Sequence, residues 1–255
     1  MTNAFQRLTK IFLVPAVLFV AWFASSRDST SFFFPPLRKI LEAFADTWFS
    51  DRWSADIVPS LLRLAAGFLI AVALALVIGV PLGHSKRARD YAEPALEFFR
   101  AIPPTVMIPV LLVISGVGDT SKVAVIAFGC IWPMLLNTIE GVRSVDSLLK
   151  DTCDIYRIHG LTRLRVLTLR AASPQIVTGM RTGLSIAIIL MVISEMFASK
   201  DGLGFTIIQF QRTFSIPEMW SGILLLGMIG VALSLLMRVF EMVVLRWYEG
   251  ARERG

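Results

Sequence analysis

DIYRIHGLTRLRVLTLRAASPQIVTGMR, residues 154–181, is a polar, basic stretch of 28 residues set between long apolar runs. In a membrane protein a connection of this size is more than a turn. It reads as two short helices joined at Gly160, lying together on one side of the bilayer. That makes it the place where the chain would meet a partner, and the rest of the sequence is read outward from it.

The flanking composition supports a membrane setting. Apolar residues make up 55% of the 255-residue chain and charged residues 17%, where a soluble domain carries about a quarter charged residues. Mean hydropathy is +0.69. The net charge of +6 does not indicate nucleic acid, because the basic residues fall in short loops between apolar runs. Cys130 and Cys153 form no spaced metal or redox motif. Arg7 and Lys10 precede an apolar run in the manner of a signal peptide, but no small-residue cleavage site follows Trp22. This run reads as a retained first span.

A span needs about 20 apolar residues. Expected spans lie near 11–25, 58–83, 102–117, 123–138, 176–197 and 219–245, giving an all-α polytopic protein of about six transmembrane helices. Between the first two, LRKILEAFADTWF carries Leu37, Ile40, Leu41, Phe44 and Trp48 at helical spacing, the pattern of an amphipathic helix at the membrane surface. The second span is rich in Gly and Ala, which lets helices approach closely. HSKRARDYAEPALEFFR, residues 84–100, reads as a polar connection, and Pro103-Pro104 suits a helix start. An even number of spans puts both termini on one side. With the N-terminus inside, about twice as many Lys and Arg fall inside as outside, so the 154–181 stretch faces the cytoplasm.

Catalytic motifs are hard to find. There is no GxxxxGK[ST] loop to hold ATP. His84 and His159 have no spaced carboxylate or cysteine partners for a metal, and no Ser/His/Asp set can be drawn. The chain reads as a non-enzyme with no catalytic or metal residues. Charges within spans are costly and each needs a role. Glu195 could line a solute path or hold a neighbouring helix end. Arg63 could snorkel outward, Arg181 could reach the cytoplasmic interface, and Arg238 could pair with Glu241 three residues on. Asn137 could hydrogen-bond across helices. Glu195 and Asn137 are the candidate path residues.

Several passages, in their order and spacing, resemble the membrane subunit of type I ABC importers, in the nitrate, taurine and aliphatic sulfonate branch. They are FPP at 34–36, SLLRLAAGF at 60–68, IPP at 102–104, LLNTIEGVRSVD at 135–146, AASPQIVTGMR at 171–181 and SEMFASKDGLGF at 194–205. The resemblance covers almost the whole chain from about Phe32. It implies a permease fold in which a cytoplasmic Glu-Ala-Ala…Gly loop forms coupling helices docked on an ATPase. Gly160 matches the motif glycine, Asp154 takes the Glu position, and Ile155 and Tyr156 replace the alanines. Leu169-Arg170 stands where Leu-Pro would be. Asp154, Ile155, Tyr156, Arg157, Gly160 and Leu161 are therefore the candidate coupling residues.

The same resemblance implies a division into an N-terminal span with an amphipathic periplasmic segment (1–57), a permease core (58–250, with coupling loop 145–175) and a cytoplasmic tail (251–255). It implies a bacterial cytoplasmic-membrane protein with both termini cytoplasmic. Expected partners are a cytoplasmic ABC ATPase dimer that binds ATP-Mg, a periplasmic or lipid-anchored solute-binding protein, and a second permease. That second permease is an identical copy or a paralogue. The chain itself would carry no cofactor. A secondary transporter, which would need buried ion-binding carboxylates in paired halves, and a non-transporting membrane scaffold are the alternatives.

Overall fold

The structure is a computed structural model that describes residues 13, 17, 19–27, 29–197 and 199–248. All regular elements among these residues are helical. Residues 11, 12, 14–16 and 18 of the first expected span lie outside them, and residues 19–26 are helical. The labelled helices are α1 (Leu37–Trp48), α2 (Trp53–His84), α3 (Lys86–Ala101), α4 (Met107–Ser115), α5 (Asp119–Arg143), α6 (Ser147–Ile155), α7 (Gly160–Phe197), α8 (Leu203–Arg212) and α9 (Ile216–Val244). Four of them, α2, α5, α7 and α9, are long and apolar enough to cross a membrane. The bent pair formed by α3 and Pro104–Ser115 is a fifth candidate, broken by 73°.

Helix α5 is the centre of the bundle, with α2 on one side and α7 on the other. The α2 contact is made by a stripe with a four-residue step: Gly67, Ala71, Ala75, Gly79 and Gly83 are all buried. A Cβ at Gly67 would stand 2.7 Å from Ile126, and one at Gly83 2.6 Å from Val142. The small residues thus set how closely the backbones approach, which is the main packing term where lipid removes the hydrophobic gain. On the other side Gly141 of α5 faces Gln175, and Gly179 of α7 faces Asn137.

Helix α1 buries Leu37, Ile40 and Trp48. Trp48 Nε1 donates to Ser221 Oγ of α9 at 2.9 Å. Leu41, expected on that face, is exposed instead, because the buried stripe runs 37–40–48 and position 41 turns away from it. The structure changes two further expectations. The stretch 84–100, read as a polar connection, lies mostly in the helix α3, Lys86–Ala101, capped by Ser85 Oγ accepting from Ala88 N–H. The helix that carries the fifth expected span, 176–197, begins well before Ile176. Gly160 starts a helix of 38 residues that runs to Phe197, through one π-helical turn at Leu164–Thr168.

Candidate functional site

Functional side chains gather at the two ends of the bundle. Helix α2 connects those ends, with Arg63 near one and His84 at the other, about 30 Å apart at ~1.5 Å per residue.

At the His84 end, α6 begins with Asp146 Oδ1 accepting from Leu148 N–H at 2.9 Å. It closes at Ile155, where Ile158 N–H donates back to Cys153 O at 2.8 Å. Two left-handed residues then turn the chain, Arg157 at φ +55° and Gly160 at φ +61°. Only one free helix precedes Gly160. The second half of the expected loop is the base of α7 itself. A small core of Val145, Cys153 and Leu167, flanked by Ile158 and Ala171, fixes α6 to that base. Asp154 Oδ1 accepts from Arg163 Nη1 at 2.6 Å and lies 3.9 Å from His159 Nδ1. His84 Nε2 lies 3.3 Å from Thr168 Oγ1, joining the end of α2 to α7.

The six candidate coupling residues are brought together and all are exposed. Their roles differ. Asp154 is engaged inside the turn by Arg163, and Gly160 supplies conformation. Ile155, Tyr156 and Leu161 are 78%, 74% and 82% exposed. They form an apolar tip on a rigid, anchored turn, a surface that calls for a covering partner.

The opposite end is ionic. Arg63 is 5% and Glu195 0% exposed, with Nη1 2.9 Å from Oε1. Arg63 Nε also donates to Asp119 Oδ1 at 2.7 Å, and Nη2 pairs with Asp201. Arg63 therefore points inward and does not snorkel, because three carboxylates surround its guanidinium. Glu195 Oε2 accepts from Gly204 N–H at 2.9 Å, and its Oε1 lies 2.7 Å from Ser60 Oγ. Ser60 Oγ in turn accepts from Leu203 N–H at 2.9 Å. Asp56 Oδ1 accepts from Gly202 N–H at 3.1 Å, and Lys122 Nζ donates to Ser199 Oγ at 2.7 Å.

The result is one network that ties α2, α5, α7 and the 199–204 turn together. Gly202 sits at φ +106°, and a Cβ there would lie 2.5 Å from the Glu195 carboxyl carbon. No bulkier residue fits between that turn and the buried carboxylate.

Glu195 and Asn137 do not meet. Asn137 lies on α5, toward the coupling end, and its Nδ2 donates to Pro133 O of its own helix at 2.7 Å, not across helices. Glu241 pairs with Arg181 of α7, not with Arg238, so this contact links α7 to α9. Among the described residues no group of three His, Cys, Asp or Glu is placed to hold a metal ion. Sequence reasoning missed Ser60, Asp56, Asp119, Lys122 and Asp201. Only the DGLG turn six residues after Glu195 hinted that its carboxylate has backbone partners.

Residues 67–248 match the model of the family described as binding-protein-dependent transport system inner membrane component. The chain is 28% identical over 243 residues to the putative aliphatic sulfonates transport permease protein SsuC of Bacillus subtilis (strain 168), covering 93% of this chain and 88% of that protein. It is 28% identical over 244 residues to the taurine transport system permease protein TauC of Escherichia coli (strain K12), covering 91% and 87%. Among solved structures, a chain of the MetNI methionine ABC transporter in inward facing conformations superposes with a TM-score of 0.59. Its identity is 18%, with 74% of this chain and 95% of that one covered, and this likeness concerns the fold.

Proposed function

Because the chain belongs to the family of binding-protein-dependent transport system inner membrane components, we propose that its exposed turn couples a partner ATPase to movement of the helices that carry a solute. The protein is the membrane-spanning, non-enzymatic permease subunit of an ABC importer. The observation that carries the coupling assignment is the apolar tip of Ile155, Tyr156 and Leu161, held by the small core around Cys153. A tip that is loose could not drag spans. This one is fixed to the base of α7, so a push on it moves a helix that reaches the ionic end.

The residues assigned to coupling are Asp154, Ile155, Tyr156, Arg157, Gly160 and Leu161, with Asp154 holding the turn through Arg163. In this reading the chain divides into 1–57, 58–250 and 251–255, and the excess of Lys and Arg in its loops supports a cytoplasmic side for the loop, 145–175, and for both termini. The ionic end then faces outward, where a solute-binding protein would deliver cargo. ATP and Mg are held by the ATPase subunits, and a second permease copy completes the pathway.

Similarity to sulfonate and taurine permeases supports a small sulfonate-like or nitrate-like solute. Glu195 bears on the path by locking the outer ends of α2, α7 and α8. Asn137 bears on it through the close α5–α7 contact.

Purification of the tagged chain in mild detergent from native cells tests this reading. An ABC ATPase is expected to co-purify. Tyr156→Glu should reduce its recovery by about 30-fold or more, the effect of losing a central interface anchor worth ~2 kcal/mol. Unchanged recovery would overturn the assignment of the tip, and absence of any ATPase would overturn the importer reading. A related second permease in the same preparation would show a heterodimer, and its absence a homodimer.

A further inference from the structure

Helix α3 is anomalous for its position. It carries Lys86, Arg87, Arg89, Asp90, Glu93, Glu97 and Arg100 in 16 residues, and none of its residues is fully buried. Yet it does not lie away from the bundle. The ring of Phe99 stacks on Trp132 with centroids 6.4 Å apart and an interplanar angle of 5°. Trp132 stands midway along α5 (Asp119–Arg143), about 17–20 Å from either end at ~1.5 Å per residue. The C-terminal half of α3 is therefore at the mid-depth of a spanning helix, and Glu97 and Arg100 flank that level.

The charges are ordered. Lys86, Asp90, Glu93, Glu97 and Arg100 are all exposed. Their steps of four, three, four and three residues place them within an arc of about 80° on the helix. Ala88, Ala92 and Leu96 occupy a different face and are partly covered by the bundle. Glu97 and Arg100 pair at 2.6 Å, while Asp90 and Glu93 have no ion-pair partner among the described residues. A row of exposed charges that runs from the His84 end of α2 down to that depth cannot face hydrocarbon, where such groups are expensive and turn toward water or protein. The 73° break after α3 separates this face from α4, whose exposed residues Val110, Val113 and Ile114 suit lipid.

We propose that the charged face of α3 lines a water-filled vestibule through which the permease releases its solute, with Asp90, Glu93 and the Glu97–Arg100 pair on its wall. This rests on the importer reading above. The wall is acidic in its middle.

The test uses the chain with its co-purifying ATPase in liposomes and single cysteines at Glu93, Glu97 and Val113. The probe is a membrane-impermeant, positively charged methanethiosulfonate reagent applied to the coupling-loop side. The parent chain sets the background, since Cys130 and Cys153 are buried. Glu93→Cys and Glu97→Cys are expected to react at least about tenfold faster than Val113→Cys. Trapping with ATP and vanadate, which closes the cytoplasmic side, should slow them by about tenfold or more.

Reaction as slow as at Val113→Cys would overturn the proposal, since the stripe would then be covered by lipid or by another chain. Fast reaction that is equal in both states would also overturn it, since α3 would lie on the membrane surface. If no ATPase co-purifies, the importer reading falls by itself. The comparison of Glu97→Cys with Val113→Cys then still decides whether α3 faces water.

Discussion

Arg63→Leu is expected to destabilise the protein by about 3–5 kcal/mol, because removing one partner of a buried ion pair leaves the other charge uncompensated. The stranded charge is Glu195, which is fully enclosed and would keep only Ser60 Oγ and Gly204 N–H as partners. Asp119 and Asp201 would lose their shared cation as well, but both are more exposed and can turn to water. The damage should concentrate at the junction of α2, α7 and the 199–204 turn. Thermal unfolding in detergent measures it, and melting of the variant with the parent would show that the network holds nothing.

A second variant separates stability from transport. Arg63→Met combined with Glu195→Leu removes both buried charges. Stability should return to within about 1–2 kcal/mol of the parent, since well-packed apolar pairs can replace buried ion pairs at little net cost. Solute uptake that remains lost in this stable double variant would place the Arg63–Glu195 pair on the path. Restored uptake would confine it to holding the helix ends. Glu195→Gln keeps the shape and removes the charge, so it should fall between the parent and Arg63→Leu in stability.

Gly160→Val should uncouple ATP hydrolysis from uptake. The residue sits at φ +61°, where an L side chain costs about 1–2 kcal/mol. Nothing lies within 4 Å of a Cβ built there, so the penalty is conformational and not a clash. A free energy of that size shifts a two-state ratio by about 5–30-fold. The turn relieves it by swinging α6 against the base of α7, which displaces Ile155 and Tyr156 from Leu161. The folded amount should change little while uptake per ATP hydrolysed falls about tenfold or more. Coupled transport at the parent rate would mean that the Gly160 backbone does not set the geometry of the docking tip.

Gly160 and Glu195, the partner that Arg63→Leu strands, lie at opposite ends of the same helix. Helix α7 begins at Gly160, and Glu195 stands near its far end. A single continuous helix therefore joins the surface proposed to receive the ATPase stroke to the network proposed to hold the outer mouth. The Arg181–Glu241 contact extends the connection to α9, which is otherwise lightly packed.

The sequence by itself determined what depends on local pattern. Apolar runs long enough to cross a bilayer located α2, α5, α7 and α9. The small-residue steps in α2 announced a close helix contact. The basic 154–181 stretch and its glycine marked the turn that the structure shows with Gly160 left-handed. These features depend on composition and spacing along one segment, so a single segment reveals them.

The tertiary structure alone decided the rest. Arg63 and Glu195 are 132 residues apart, and nothing local to either says which charge the other will meet. Sequence reasoning consequently sent Arg63 outward and paired Glu241 with its near neighbour Arg238. Residues 84–100 read as a connection because their charges hid the helical period, and only the stack of Phe99 on Trp132 gives them a depth. Likewise, the second coupling helix merges with α7 because the small core of Val145, Cys153 and Leu167 holds the turn against its base. Buried ion pairs, helix depth and fixed turns are created by side chains from distant segments sharing one low-dielectric space, and that proximity exists only after the helices have packed.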